Sequence, residues 1–88
     1  MVHNELFQQC LKAIPEEQKA EFDLTYGIAE RLYEILRLRG ITTRDLAKRM
    51  NKRESEIAEW LTGRHNFSMR TIARIEDALQ CKLITIAH

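Results

Sequence analysis

Eighty-eight residues, 44% hydrophobic and 31% charged, make one small globular domain whose core is thin, since a chain this short hides only about 60–65% of its unfolded surface on folding. Its net charge of +1 conceals an asymmetry, with six acids and two bases in residues 1–30 against seven acids and twelve bases in residues 31–88. There is little room for a deep catalytic cleft, no run near the roughly 18 apolar residues of a membrane span, and neither the basic nor the apolar region of a secretory signal in Met1–Cys10.

Asn4 to Ile14 sets Leu6, Phe7, Cys10, Leu11 and Ile14 on one helical stripe, with Asn4 as a suitable N-cap. Pro15 stops that helix and opens the next, with Glu16 and Glu17 near the positive end of its dipole. The spacing predicts a long second helix reaching Arg39. Its seam reads Phe22, Tyr26, Ala29, Tyr33 and Leu36, with Ile28, Leu32 and Ile35 alongside. Gly27 costs such a helix about 1 kcal/mol relative to Ala and marks a point where it can bend or break. Gly40 closes it in the left-handed conformation.

Thr42 and Asp45 have the spacing of a capping box, opening a short helix that turns Leu46, Ala47 and Met50 inward. Asn51, Lys52 and Arg53 form the turn. A helix from Glu54 to Thr62 then buries Ile57, Trp60 and Leu61 before Gly63 ends it. Ser68 caps a last helix with Met69, Ile72, Ile75 and Leu79 in repeat, and Leu83 to Ile86 form a short β-prone tail. Three glycines and one proline are too few for a turn-rich β-protein, so the expectation is an all-α fold.

Arg37, Arg39, Arg44, Lys48, Arg49, Lys52 and Arg53 stand against Asp45 alone between residues 37 and 53. Such a run is an ordinary solvated face unless its position relative to a motif says otherwise. Here it surrounds two short helices joined by a three-residue turn, the layout of a helix-turn-helix. Ile41 to Ser68 resembles the XRE, or lambda-repressor-like, family of DNA-binding domains. Ile41, Thr42, Asp45, Leu46, Ala47, Ile57, Trp60, Leu61, Gly63, Arg64 and Asn66 stand in register with that family's pattern, and the resemblance extends over about residues 24–84. It implies a lambda-repressor-like bundle over residues 24–88, preceded by an N-terminal helical extension over residues 1–23.

The spacing has its own physical logic. A recognition helix must lock its inner face onto the preceding helix while its first turn enters a major groove about 12 Å wide. Leu46, Ala47, Ile57 and Leu61 do the locking, and Trp60 is expected in the core rather than stacked on a base. By resemblance, Arg64, His65 and Asn66 meet the sugar-phosphate backbone, as do Thr43 and Arg44 at the start of the preceding helix, where N–H groups and the dipole favour phosphate. The recognition helix departs from the family pattern. Arg53 stands at its cap, where the family prefers Ser or Thr, followed by Glu54, Ser55, Glu56 and Glu59. The carboxylates repel phosphate, yet a glutamate accepts from cytosine N4. They serve equally as dipole partners and as ion-pair partners of Lys52, Arg53 or Arg64.

Little else carries chemistry. His3, His65 and His88 have no mutual spacing that suggests zinc, and Cys81 with His88 falls short of a ligand set. Cys10 and Cys81 lie too far apart for a metal motif and point to a reducing, cytoplasmic setting without cofactors. No nucleophile–base set or phosphate loop is present, so no enzyme is expected. The expected function is a sequence-specific transcriptional repressor that binds double-stranded DNA as a homodimer. The resemblance also admits the antitoxin subgroup of type II toxin–antitoxin modules, which neutralise a ribonuclease toxin and repress their own operon; the acidic N-terminal third suits a basic partner. The rival is a protein-interaction module that keeps the fold without DNA binding. The apolar stripe of residues 4–14 folds back on the long helix, joins two subunits or docks a partner.

Overall fold

The computed structural model describes residues 15–87, which form four helices: α1 (Glu16–Arg39), α2 (Thr43–Met50), α3 (Glu54–Trp60) and α4 (Met69–Leu79). The stripe expected over Asn4–Ile14 lies outside the described residues. Glu16 and Glu17 occupy the first turn of α1 and Arg37 and Arg39 its last, each suited to the dipole there. The helix is unbroken at Gly27 and passes through the division expected between residues 23 and 24. Gly40, at φ 65°, ends it. The N–H groups of Gly40 and Ile41 donate to the carbonyls of Arg37 and Leu36, satisfying acceptors that the helix end leaves free.

Local chemistry sets the remaining ends. The Thr42 hydroxyl oxygen accepts from the Asp45 N–H at 3.0 Å and the Asp45 carboxylate accepts from the Thr42 N–H at 3.1 Å, the capping box that starts α2. Asn51 takes the left-handed conformation at φ 54° and closes α2, after which Lys52 and Arg53 lead into α3. That helix ends at Trp60 rather than Thr62, because Leu61 and Thr62 donate to Ala58 and Glu59 and tighten the last turn. Ser68 caps α4, its hydroxyl oxygen accepting from the Thr71 N–H at 3.1 Å.

All four helices feed one core. Its fully buried side chains are Leu32 of α1, Leu46 of α2, Ile57 of α3, and Ile75 and Leu79 of α4. The buried face of α1 is Thr25, Ile28, Ala29, Leu32, Ile35 and Leu36. The expected seam is therefore wrong in its aromatic members: Phe22, Tyr26 and Tyr33 are 56%, 62% and 58% exposed. Two stripes of similar spacing run side by side on this helix, and α2, α3 and α4 close over the aliphatic one. Met69 is likewise exposed, since it starts α4 ahead of the turn that meets the core.

Among the described residues the tail is not a strand. Leu83 turns into the core, and the Glu76 carboxylate accepts from the N–H groups of Leu83 at 2.8 Å and Ile84 at 3.3 Å. The Arg39 guanidinium donates to the Leu79 carbonyl and so ties the end of α1 to the end of α4.

Candidate nucleic-acid interface

The packing of α2 against α3 decides what α3 shows to solvent. Leu46 and Ala47 of α2 and Ile57 and Trp60 of α3 are buried, and Ala47 adds little bulk where the helices meet. With Ile57 and Trp60 inward, Ser55, Ala58, Glu59 and Thr62 fall on the opposite side at steps of three, one and three, and all four are exposed. Ser55 and Glu59 were singled out from sequence. Ala58 and Thr62 were not, although the same helical spacing names them once Ile57 and Trp60 are taken as the inner face. Ala58 offers a methyl group of the kind that meets a thymine methyl, and Thr62 a hydroxyl.

The acidic character of this helix is partly spent within the protein. The Thr43 hydroxyl donates to Glu54 Oε1 at 2.9 Å, tying the first turn of α2 to the first turn of α3. Glu56 pairs with Lys52 at 3.7 Å. Of the three carboxylates, Glu59 alone stands on the outward face without a hydrogen bond or ion pair among the described residues. Arg44 in the first turn of α2, Arg53 at the α3 N-cap and Arg64 after α3 are exposed around that face. A guanidinium has no acceptor with which to cap a helix, and Arg53 makes no ion pair among the described residues, so its donors are available to an outside acceptor.

The loop after α3 is held by α1. Gly63 sits at φ 83°, and a Cβ there would lie 2.8 Å from Tyr26 Cδ2. The Thr25 hydroxyl donates to the Phe22 carbonyl at 3.0 Å and reaches the Gly63 carbonyl at 3.4 Å. Thr62 in turn donates to the Glu59 carbonyl at 2.8 Å and accepts from the Arg64 N–H at 3.2 Å. Together these bonds fix where Arg64 leaves the loop.

Arg64 and Asn66 are exposed, but His65 is half-buried. Its ring meets Phe67 edge-on at 4.9 Å and lies 6.4 Å from Trp60, so one side of the imidazole is packed against these rings. The sequence reading missed Phe67, which is buried beside Trp60 at 6.2 Å. Its position carried a signal: it precedes the Ser68 cap and stands five residues before Ile72, the spacing of a hydrophobic staple.

The Asp45 carboxyl is held below its ordinary pKa, first by the Thr42 backbone N–H, then by the Thr42 side chain, with Arg49 and Lys48 adding to the effect. Among the described residues no three of His, Cys, Asp and Glu come together as a metal site, and no helix is long and apolar enough to cross a membrane.

The family model of the Cro/C1-type HTH DNA-binding domain matches residues 31–87. The match takes in the last nine residues of α1, all of α2, α3 and α4, and the tail. No curated protein and no solved structure matches the chain.

Proposed function

We propose that this chain, which belongs to the Cro/C1-type HTH DNA-binding domain family, is a sequence-specific repressor that binds duplex DNA as a symmetric dimer. The observation that carries the proposal is the outward face of α3. Ser55, Ala58, Glu59 and Thr62 are free of the core, while Glu54 and Glu56 have partners within the protein. Bases are read by Ser55 and Glu59, with Glu59 accepting from a cytosine amino group. Arg44, Arg53 and Arg64 supply phosphate contacts that set the register and carry no sequence information.

Selection of bound sequences from random duplex DNA is the direct test, followed by titration of the winning site at several salt concentrations. Arg44→Ala and Arg64→Ala are each expected to weaken all duplexes about equally and to lower the salt slope by about one unit. Ser55→Ala and Glu59→Ala are expected to change the preferred sequence, with about 1–3 kcal/mol at the affected base pair. Unaltered preference after both changes removes α3 from base readout. Salt-insensitive binding to a protein, with no duplex selected, replaces the proposal with the interaction-module reading.

A second role is supported by the charge of α1. Glu16, Asp23, Glu30 and Glu34 recur at steps of seven, seven and four on one flank, and all are exposed. That flank suits a basic partner, which is what an antitoxin of this type requires of its ribonuclease. Co-purification of such a protein with the wild-type chain, lost when Asp23 and Glu30 become Lys, is the expected result.

A further inference from the structure

The charges on α4 are placed against the energetics of the helix itself. Arg70 stands in its first turn, where the dipole favours an acid, and that turn contains none. Arg74 follows one turn later, and like charges four residues apart repel. Arg49 of α2 borders the same space: the three arginines line an open cleft of about 400 Å³ between the end of α2 and α4. None of their guanidiniums has a hydrogen bond or ion pair among the described residues. Asp45, one turn before Arg49, is held in the Thr42 cap. An anion from outside relieves all three charges at once. The cleft is also distinct from the reading face. Thr43 turns toward α3, where it bonds Glu54, and Arg49, six residues later, lies about 120° around α2 from it, beside α4. None of Ser55, Glu59, Arg44, Arg53 and Arg64 lines the cleft.

We infer that this cleft binds a nucleoside diphosphate, with its phosphates on Arg49, Arg70 and Arg74 and its base toward Asp77. A guanidinium pairs two N–H groups with two phosphate oxygens, so three arginines match a ligand that carries more than one phosphate. The cleft is not uniformly basic. Asp77 also lines it, seven residues from Arg70 and therefore two turns, about 10 Å, along α4. A carboxylate repels a bare phosphate but accepts from a donor, and the amino groups of adenine and guanine are such donors. The site thus has an anion-binding end and an accepting end, which asks for a ligand with two different ends. Between them Met50, Ala73 and Ala78 offer apolar surface on which a flat ring can lie, and the volume is within the range of small-molecule sites. The inference does not depend on the DNA-binding or partner readings, which use other side chains.

The test is calorimetric titration of the full chain, without DNA, with ADP, GDP, pyrophosphate and adenosine. Both diphosphates are expected to bind, pyrophosphate more weakly, and adenosine not detectably. Arg70→Ala and Arg74→Ala, both at exposed positions, are each expected to weaken the nucleotides by about tenfold or more with circular dichroism unchanged. Asp77→Ala separates the two ends of the site: it is expected to weaken ADP and GDP and to tighten pyrophosphate. A map that needs no mutation comes from amide shifts of the wild-type chain on adding ADP, expected at Arg49, Arg70, Ala73, Arg74 and Ala78 and not at Ser55, Glu59 or Arg64. Failure of both diphosphates to bind at millimolar concentration overturns the inference. Shifts centred on Arg44, Arg53 and Arg64 overturn it too, since they would mark a general attraction of polyanions to the reading face. Pyrophosphate binding as tightly as ADP, unaltered by Asp77→Ala, would remove the base from the site. Displacement of ADP by duplex DNA, with the same amides shifted, would make the cleft a contact to the DNA backbone instead.

Discussion

Gly27 and Gly63 show how one residue type has opposite consequences in two backbone settings. Gly27 lies within α1 with nothing within 4 Å of where a Cβ would be, so Gly27→Ala is expected to stabilise the protein by up to about 1 kcal/mol through helix propensity. Gly63 lies at φ 83°, where a side chain costs about 1–2 kcal/mol, and its Cβ would also push on Tyr26. Gly63→Ala is therefore expected to lower stability by at least that amount in urea melts. Because the loop it opens carries Arg64, the same change is expected to weaken DNA binding. A neutral Gly63→Ala variant would show that the loop conformation is not held as described. His65 has a role set by its neighbours rather than its type. Its imidazole, expected at a phosphate, is steadied by packing against Phe67 and facing Trp60, rings that the fold brings to it.

At the level of the element, helix ends were legible because their causes lie within a few residues. The Thr42–Asp45 box, the Ser68 cap and Gly40 are read from short spacings and stand where those spacings place them. Helix faces were less legible. Periodicity defines a stripe on α1, yet the choice between Phe22–Tyr26–Tyr33 and Thr25–Ile28–Leu32–Ile35 belongs to the helices that pack on it. The bonds of Arg39 to the Leu79 carbonyl and of Glu76 to the tail had no local signal, since their partners meet only in the finished fold. On α3 the outward positions Ser55 and Glu59 were legible from its inner face, and so was Lys52 as an ion-pair partner, but the Thr43 hydroxyl that holds Glu54 was not. The capping box also makes a prediction about pH. Asp45 titrates below its ordinary value in the folded protein, so its contribution to stability is present above the unfolded value of about 4 and is lost as the pH falls through the lower folded value. Wild-type melting temperature is expected to fall over that acidic range by more than that of Asp45→Asn. Parallel curves for the two proteins would remove Asp45 from the pH dependence.

At the level of the whole molecule, the size of the reading surface argues for two copies. One short recognition helix reaches too few base pairs to select a site, and a symmetric dimer doubles the number by placing a second α3 about 34 Å away, one helical turn along the DNA. The tail is a candidate interface, because a β-prone apolar segment can pair with its copy, but the fold has already drawn part of it inward: Leu83 is in the core and Glu76 holds the adjoining backbone. What remains for a partner is Ile84, half-buried, and Ile86, 77% exposed. Ile86→Asp removes apolar surface that the monomer does not use, so circular dichroism and melting are expected to stay as in the wild type. Light scattering is expected to shift from dimer to monomer. Affinity for a two-half-site duplex is expected to fall by roughly 10²–10⁴-fold, the gain that a joined second site supplies, while affinity for an isolated half-site stays unchanged. An intact Ile86→Asp dimer would move the interface away from the tail. A wild-type chain that stays monomeric at high concentration, with and without operator DNA, would defeat the symmetric dimer itself.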